Sequence, residues 1–344
     1  MNVPSSRGRC AVSGRGVAYF SFVKVRTFLL FLVSENVMGI PVSTLLAQTS
    51  APNRPGVDLG NMENFFSYSI VQWNSVSHVL TLGVGIFAAA LVYFLATIKF
   101  VAPKYRMSNI LSGVVMISAM IILLRQSMAW DMSFVLNSES GEYVRRDGQA
   151  FSNGYRYMNW SIDVPVLLLQ MLVVLPLAAK KKLSYATQFV VAGLGMIWTS
   201  WAAQFYETGG VTVDGAAIVE GSSSAPFWIW YFLGWAFYVW IVVIVWKTIR
   251  EGIQLVPQQA GKILNAILWV FLVAWTAYAV AIVLPQFWFA AEAGVARAFI
   301  FTIADVVSKA IYGVMLGMVA VIISREEGYD YNRIRPQMIE TDGG

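Results

Sequence analysis

Residues 301–317 read FTIADVVSKAIYGVMLG, an apolar stretch that contains one acid, Asp305, and one lysine, Lys309. The run that surrounds it, 297–324, is long enough to span about 30 Å of hydrocarbon. A charge at bilayer depth costs about 2.5–3.5 kcal/mol even on lenient scales, so each charge needs a reason to be there. Their i, i+4 spacing places both side chains on one helical face. Two interpretations follow: a structural ion pair, or a lysine amine that forms a Schiff base beside its carboxylate counterion.

Six further apolar stretches have the length of membrane spans, and short loops join most of them. The seven predicted spans are 70–98, 107–129, 155–178, 184–206, 226–247, 262–285 and 297–324. Of the 344 residues 58% are hydrophobic and only 12% are charged, whereas soluble domains carry about 25% charged residues. The mean hydropathy is +0.62. The sequence therefore predicts an all-α membrane protein, a bundle of seven transmembrane helices in a lipid bilayer.

Basic residues cluster in alternate connections between the spans. They are Lys99, Lys104 and Arg106, then Lys180 to Lys182, then Lys247, Arg250 and Lys262, and finally Arg325, Arg333 and Arg335. The other connections, 131–154, 207–225 and 286–296, carry fewer. The positive-inside rule then predicts an outside N-terminus and a cytoplasmic C-terminus. Because the formal charge of +5 arises mostly from these loops, it indicates membrane topology, and no nucleic-acid partner is expected.

The segments outside the bundle differ in character. We divide the chain into a leader at 1–58, a seven-helix domain at 59–324 and a short cytoplasmic tail at 325–344. In the leader, basic residues precede a short apolar run at 27–33, and small residues follow at 47–51, an order that resembles a secretory signal peptide. A disordered leader, or a start site assigned upstream of Met38, is the alternative. The Gly- and Ser-rich segment 208–225 predicts an outer surface loop or short hairpin.

The third span, with its preceding residues, reads NGYRYMNWSIDVPVLLLQ at 153–170 and carries a polar stripe. Arg156, Asn159, Asp163 and Gln170 follow one another at i, i+3, i+7 and i+14, which keeps them on one helical face. The stripe is about 20 Å long at 1.5 Å per residue. Exposure to lipid would be prohibitive, so the stripe should face the bundle interior, with Asp163 opposite Lys309. Such a row is the outline of an ion or proton path.

The motif RYxxW in the third span, together with DxxSK in the seventh, resembles the microbial (type 1) rhodopsins over residues 61–324. The resemblance implies all-trans-retinal bound covalently to Lys309 as a protonated Schiff base, with Asp163 and Asp305 as counterion and proton acceptor. It also implies a retinal pocket, made by Trp160, Trp275, Tyr278 and Ser308. From the residues alone, the aromatic side chains are equally consistent with ordinary packing. No enzyme is expected, since no nucleophile–base constellation or metal cluster is visible.

The residues Asn159, Asp163 and Gln170 form a triplet similar to that of the light-driven sodium-pumping rhodopsins. The resemblance implies outward transport of sodium through a transient site at Asn159 and Asp305. An outward proton pump, or a mixed sodium and proton pump, is the first alternative. A sensory photoreceptor is the second, although the polar row exceeds what a sensor needs. The expected location is the inner membrane of a bacterial cell, as a multi-pass protein.

Further family positions are assigned only by the resemblance. The ion path would include Arg156, Asn109, Ser112 and Ser118, and the extracellular exit would include Glu63, Gln126, Asn153, Glu207 and Arg297. Residues 62–66 resemble a short helix that caps the outer mouth. His78 would lie at a protomer interface of a homo-oligomer; a buried core histidine is the alternative.

Two positions depart from the family pattern, and a third residue has no role in that pattern. Ala279 stands where proline is common, and Gln149 where an acid helps to form an outer cation site. Arg125 lies near the outer end of the second span, where the resemblance assigns it nothing.

Overall fold

A computed structural model describes residues 61–331 of the chain. The predicted leader at 1–58 lies outside the described residues, as does most of the predicted tail, from residue 332 onward. The statements that follow concern residues 61–331.

Seven long helices make up the described part of the chain and confirm the predicted bundle. They are α1 (Ile70–Thr97), α2 (Arg106–Ser133), α3 (Gly154–Val174), α4 (Ala179–Gln204), α5 (Ala225–Ile253), α6 (Gln258–Phe287) and α7 (Ala291–Glu326). Six of them are long and apolar enough to cross a membrane. The exception among the described helices is α4, because Gln188, Thr199 and Gln204 lower its hydropathy. Short 3-10 helices cover Met62–Phe65, Ile98–Phe100 and Pro103–Tyr105.

Local sequence sets the helix ends. A capping box begins α1: the Ser69 hydroxyl accepts from the Gln72 backbone N–H, and the Gln72 side chain accepts from the Ser69 N–H. Helix α3 ends at Val174 and not at the predicted 178, since Pro176 disfavours helical geometry just before it. Helix α5 runs past the predicted 247 to Ile253, with Lys247 and Arg250 exposed on its last turns.

Two hairpins lie in the connections, and sequence analysis anticipated only one. Strands β3 (Thr212–Val213) and β4 (Ala216–Ala217) form the hairpin predicted for 208–225. Its turn residues Asp214 and Gly215 both have positive φ, 51° and 81°, as a type I′ turn requires. The hairpin that was missed joins β1 (Phe134–Leu136) to β2 (Tyr143–Arg145).

Helix α7 is not a regular α-helix around its lysine. A π-helical segment, Val306–Ile311, separates the α-helical parts Ala291–Asp305 and Tyr312–Glu326. Two consecutive side chains of this segment, Ser308 and Lys309, are both buried. Single π-turns inside α-helices occur frequently at functional sites. From this segment, the Lys309 side chain reaches Asp163 of α3 and the Ser308 side chain reaches Tyr278 of α6.

Candidate functional site

A buried lysine lies between two carboxylates in the middle of the bundle. The Nζ atom of Lys309 is 2.7 Å from Oδ1 of Asp305 and 3.0 Å from Oδ2 of Asp163. The exposed fractions are 2% for Lys309, 2% for Asp305 and 0% for Asp163. The structure thus brings together the i, i+4 pair of α7 and the acid of α3, as the sequence pattern predicted.

Asp305 is the more strongly stabilised of the two carboxylates. Besides Lys309, its oxygens accept hydrogen bonds from Arg156 Nη1 at 3.0 Å, Trp160 Nε1 at 3.1 Å and the Tyr278 hydroxyl at 2.8 Å. Both oxygens are engaged, Oδ2 by Arg156 and Oδ1 by the other donors. Hydrogen bonds to the charged form favour that form, and so does a neighbouring guanidinium. Asp305 is therefore held as an anion from several directions.

Asp163 has far fewer donors. Its Oδ2 atom accepts from Lys309 and from the Asn159 amide Nδ2, which is 2.6 Å away. Its Oδ1 atom is buried and has no hydrogen-bond partner among residues 61–331. A buried carboxylate oxygen without a donor is costly while the group is charged. Of the two acids, Asp163 is therefore the one that gains more by taking up a proton.

The charges of this cluster balance. Arg156 and Lys309 supply two cations, and Asp163 and Asp305 supply two anions. Arg156 also donates from Nη2 to the Thr302 hydroxyl at 3.4 Å. Removal of one member of a buried ion pair leaves an uncompensated charge and costs about 3–5 kcal/mol. The balance allows four charged groups to remain inside an apolar bundle.

A cavity lies beside Lys309, with about 660 Å³ of empty space that includes space open to solvent. Its wall is mostly aromatic and aliphatic, and helices α3 to α7 all contribute to it. It includes all four residues predicted for the retinal pocket: Trp160, Trp275, Tyr278 and Ser308. The Tyr278 hydroxyl and the Ser308 hydroxyl are 3.0 Å apart. An apolar group attached to Nζ of Lys309 fits such a cavity, since most of the wall is aromatic or aliphatic.

Sequence analysis missed the contribution of α5 to this cavity. Tyr231, Gly234, Trp235 and Tyr238 all line it. The only available signal was the aromatic-rich stretch of α5. Other aromatic residues of the same stretch, such as Phe232 and Trp240, lie exposed on the outer surface of the bundle. Composition alone therefore could not separate the cavity face from the lipid face.

A row of polar side chains leads from Asn159 toward the 97–109 end of the bundle. The Ser118 hydroxyl donates a short hydrogen bond to Asn159 Oδ1. Further along, Gln170 Nε2 donates to the Ser112 hydroxyl at 2.6 Å, and Asn109 Nδ2 donates to the Thr97 hydroxyl at 3.4 Å. These six polar residues come from α1, α2 and α3. The predicted path residues Asn109, Ser112 and Ser118 thus lie on the same polar row as Asn159 and Gln170.

A second charged cluster lies at the opposite end. Arg297 pairs with Glu63 and with Glu207, its Nε reaching Glu63 Oε1 at 2.9 Å and its Nη1 reaching Glu207 Oε2 at 2.9 Å. Asn153 Nδ2 donates to Glu63 Oε1 at 3.1 Å. Burial raises the pKa of the Glu207 carboxyl, although Arg297 opposes this shift. Four predicted exit residues therefore meet in one network, while Gln126 lies apart from it and donates to the Ser152 carbonyl at 3.2 Å.

The 3-10 helix Met62–Phe65 is tied to this cluster. The Met62 N–H donates to Glu207 Oε1 at 2.7 Å, and Asn64 exchanges two hydrogen bonds with the Phe151 backbone, at 2.7 and 2.8 Å. The predicted cap segment thus covers the Arg297 end of the bundle. A backbone N–H carries no residue-specific signal, which explains why the Met62 contact was missed.

The single histidine, His78, is exposed on α1. The alternative of a buried core histidine is therefore wrong for the single chain. Ala279, where the family often has proline, lies within an unbroken α6, and its carbonyl accepts from the Tyr231 hydroxyl at 3.2 Å.

The seven-helix bundle and the buried lysine of its last helix define a microbial rhodopsin. Residues 74–323 match the family model described as bacteriorhodopsin-like protein, and the chain belongs to that family. Members of this family bind retinal through a lysine Schiff base, and they are light-driven ion pumps or sensors.

Solved structures of rhodopsins resemble the chain over about three quarters of its length. Thermophilic rhodopsin is 26% identical, with a TM-score of 0.69, over 76% of this chain and 99% of that one. Xanthorhodopsin, described as a light-driven ion pump with dual chromophore, is also 26% identical, with a TM-score of 0.67, over 77% of this chain and 99% of that one. Exiguobacterium sibiricum rhodopsin shares the fold, with 18% identity and a TM-score of 0.58 over 73% of this chain and 97% of that one. No curated protein sequence matches the chain.

Proposed function

We propose that this chain is a light-driven outward sodium pump that uses all-trans-retinal bound to Lys309. The observation that carries the proposal is the neutral character of the polar row on either side of Asp163. Asn159 and Gln170 are both buried there, and neither amide can take up or release a proton. The xanthorhodopsin likeness supports the coarser assignment of an ion pump.

Lys309 and the walls of the cavity are the residues that would hold retinal. Bound retinal supplies a light-driven change of shape at the Lys309 nitrogen. The indole of Trp160 lies near that nitrogen and is itself fixed by its hydrogen bond to Asp305. Trp275 and Tyr278 confine the rest of the cavity. Before illumination, the proton on Nζ is held between Asp163 and Asp305.

Illumination is proposed to move the proton from Nζ of Lys309 to Asp163. The unequal environments of the two acids support this direction. Asp305 retains the donors Arg156, Trp160 and Tyr278 when the lysine proton leaves, so it has little need of that proton. Asp163 has one oxygen without any donor among the described residues, and protonation removes its uncompensated charge.

The transfer removes a positive charge from the centre of the bundle. Two like charges 5 Å apart repel by about 3 kcal/mol at an effective dielectric constant of 20. A cation near Asn159 is therefore no longer repelled by Nζ, while Asp305 remains negative. Hard cations prefer oxygen ligands. The Asn159 amide oxygen and the Asp305 carboxylate would hold sodium transiently, with the Ser118 hydroxyl oxygen next to Asn159 as a third donor.

Among residues 61–331, buried side-chain oxygen atoms that have no hydrogen-bond donor mark the rest of the proposed path. They include Asn109 Oδ1 and Gln170 Oε1 on one side of the central cluster and Gln126 Oε1 toward the other end. Such atoms need water or a cation to compensate them. The basic loops orient the Asn109 end toward the cytoplasm and the Arg297 end outward. Return of the proton from Asp163 to Lys309 would close the path behind the ion.

A proton pump, or a pump that moves protons when sodium is scarce, is the second candidate. It is favoured by the direct contact between Lys309 and Asp163, which allows a proton to pass between them without an intermediary. Against this candidate, positions 159 and 170 carry the amides Asn159 and Gln170, and neither can receive or resupply a proton as a carboxylic acid would. A sensory role would leave the polar row without a purpose.

Asn159→Asp is expected to lower sodium transport by roughly tenfold, about 1.4 kcal/mol in barrier height. The Asn159 amide nitrogen is 2.6 Å from Asp163 Oδ2, so the new acid would share a proton with Asp163 and the neutral oxygen ligand would be lost. The measurement is the sodium-dependent pH change of illuminated cells. Ser161→Ala, on the other face of α3, is the control and should transport normally. An unchanged sodium signal in Asn159→Asp would remove Asn159 from the path.

A further inference from the structure

The proposed ion path is closed at its 97–109 end in this structure. Asn109, Ser112 and Gln170 have exposed fractions of 4%, 1% and 0%. Asn109 donates to the hydroxyl of Thr97, the last residue of α1, and its Oδ1 atom lies 3.6 Å from the point where a Cβ on Gly317 of α7 would stand. The path therefore ends where α1, α2 and α7 meet. A cation that enters from this side must first move whatever covers that meeting point.

The connection 98–105, between α1 and α2, lies over this end of the path. It stops four residues before Asn109 in the sequence, and its residue Ala102 is buried. The Ala102 N–H donates to the hydroxyl of Ser324 at 3.0 Å. Ser324 follows Gly317 by seven residues, which places both on one face of α7. Helix α7 thus lines the end of the path at Gly317 and holds the connection over it two turns later.

The chain leaves α7 through a turn that returns it to this connection. Gly328 has a φ of 85°, in the left-handed region that favours glycine. The Tyr329 N–H donates to the Ser324 carbonyl, and the Gly328 N–H donates to the Arg325 carbonyl, each at 2.9 Å. This pair of bonds is the usual end of a helix that stops at glycine. The sequence SREEGY at 324–329 therefore fixes the direction in which the chain continues.

Residues 327–331, which we call the latch, then bind the connection through an acid and two tyrosines. The acid is Glu327, whose Oε1 atom accepts from Lys104 Nζ and from the Tyr105 hydroxyl, both at 2.8 Å. The side chains of Lys104 and Glu327 are 61% and 38% exposed. Exposed ion pairs contribute little to stability, so this contact can be broken without disturbing the bundle.

The two tyrosines of the latch bind both ends of the connection. The Tyr329 hydroxyl accepts from Arg106 Nη2 at 2.9 Å, at the start of α2, and donates to the Lys99 carbonyl at 3.0 Å, just after α1. The Tyr331 ring lies 5.7 Å from the Phe100 ring and 5.4 Å from Lys99 Nζ. The latch therefore ties together the two sides of the connection that covers the path.

We propose that the latch is a gate, which holds the connection 98–105 closed over Asn109 before illumination and is released when an ion enters. The inference rests on the proposed function, which makes the Asn109 end the intake side. A path that ends in buried polar atoms cannot take up a cation from water unless its cover moves. Segments held mainly by exposed hydrogen bonds open locally at low free energy, as a gate requires.

The reaction of silver ion with a cysteine inside the closed end tests the gate. Silver is a monovalent cation close to sodium in size, and it is soft enough to bind a thiolate. The parent protein carries Ser112→Cys with Cys10→Ser, has retinal bound, and is placed in inside-out membrane vesicles in nitrate salts. The reaction is followed as protection of the cysteine introduced at position 112 from later alkylation by a fluorescent maleimide.

In the dark the parent should react slowly, and illumination should raise its rate. Tyr329→Phe and Glu327→Ala should each raise the dark rate by roughly tenfold, since each removes two hydrogen bonds of the latch. Deletion of residues 327–344 should raise it at least as much. The visible band should be retained in every variant, because none of the altered residues lines the cavity.

The matched control is Glu251→Ala. Glu251 accepts from Lys181 and from the Tyr185 hydroxyl, each at 3.0 Å, so it makes the same kind of exposed cluster between α4 and α5. Its loss should leave the dark rate unchanged. Equal dark rates in the parent and the latch variants, an equal rise in Glu251→Ala, or no effect of illumination on the parent would each overturn the gate. The comparison of NaCl with KCl decides the proposed function separately, because the reaction with silver does not depend on which ion is pumped.

Discussion

Lys309→Ala is expected to abolish the visible absorption band of the protein expressed with retinal. Lys309 is the only lysine among the described residues that lines the cavity, and the wall around it is mostly aromatic and aliphatic. Loss of that amine removes the covalent attachment. The measurement is the absorption spectrum of the purified protein, with Lys262→Ala, an exposed lysine of α6, as the matched control.

A folding defect must be separated from loss of attachment, because Lys309→Ala also leaves Asp163 without its cation. Helical content by circular dichroism and the elution profile should match those of the control. A combined Lys309→Ala and Asp163→Asn variant removes one charge of each sign, and it should fold better while remaining colourless. A normal visible band in either variant would contradict the assignment of Lys309.

Asp163→Asn is expected to have the second largest effect, on the proton held at Lys309. Asp163 Oδ2 lies 3.0 Å from Nζ, and an opposite charge at this distance stabilises the protonated form. Without it, the pH at which the visible colour is lost should fall by roughly 1–3 units. The absorption maximum should move, and light-driven deprotonation should be lost. Absorption spectra over a pH titration, with flash-induced absorbance changes, measure all three.

Asp305→Asn provides the contrast that distinguishes the two acids. Arg156 would lose its only carboxylate among the described residues, at a cost of about 3–5 kcal/mol. We expect poor folding and low yield from this variant, whereas Asp163→Asn should fold. If Asp163→Asn keeps its spectrum and still deprotonates on illumination, Asp305 takes the role assigned here to Asp163.

The seven helices and the central cluster could be predicted because their signals are local. Each helix is one continuous apolar stretch, and the polar stripe of α3 and the Asp305–Lys309 pair are each visible at helical spacing. The π-helical segment at Val306–Ile311 could not be predicted, because its residues suit a regular helix equally well. The β1–β2 hairpin was missed because its strands have only three residues each.

The unequal environments of Asp163 and Asp305 could not be predicted from the sequence either. Asp305 receives donors from α3 and α6, at Trp160 and Tyr278, and these contacts exist only after the helices pack.

The choice of ion is tested most directly by the pH of a suspension of illuminated cells in NaCl and in KCl, with and without a protonophore. Sodium export leaves the cell interior negative and draws protons inward, so the medium in NaCl should become more alkaline. A protonophore should strengthen that signal, and replacement of NaCl by KCl should abolish it. Acidification of equal size in both salts, abolished by the protonophore, would show a proton pump and contradict the role assigned to Asn159 and Gln170.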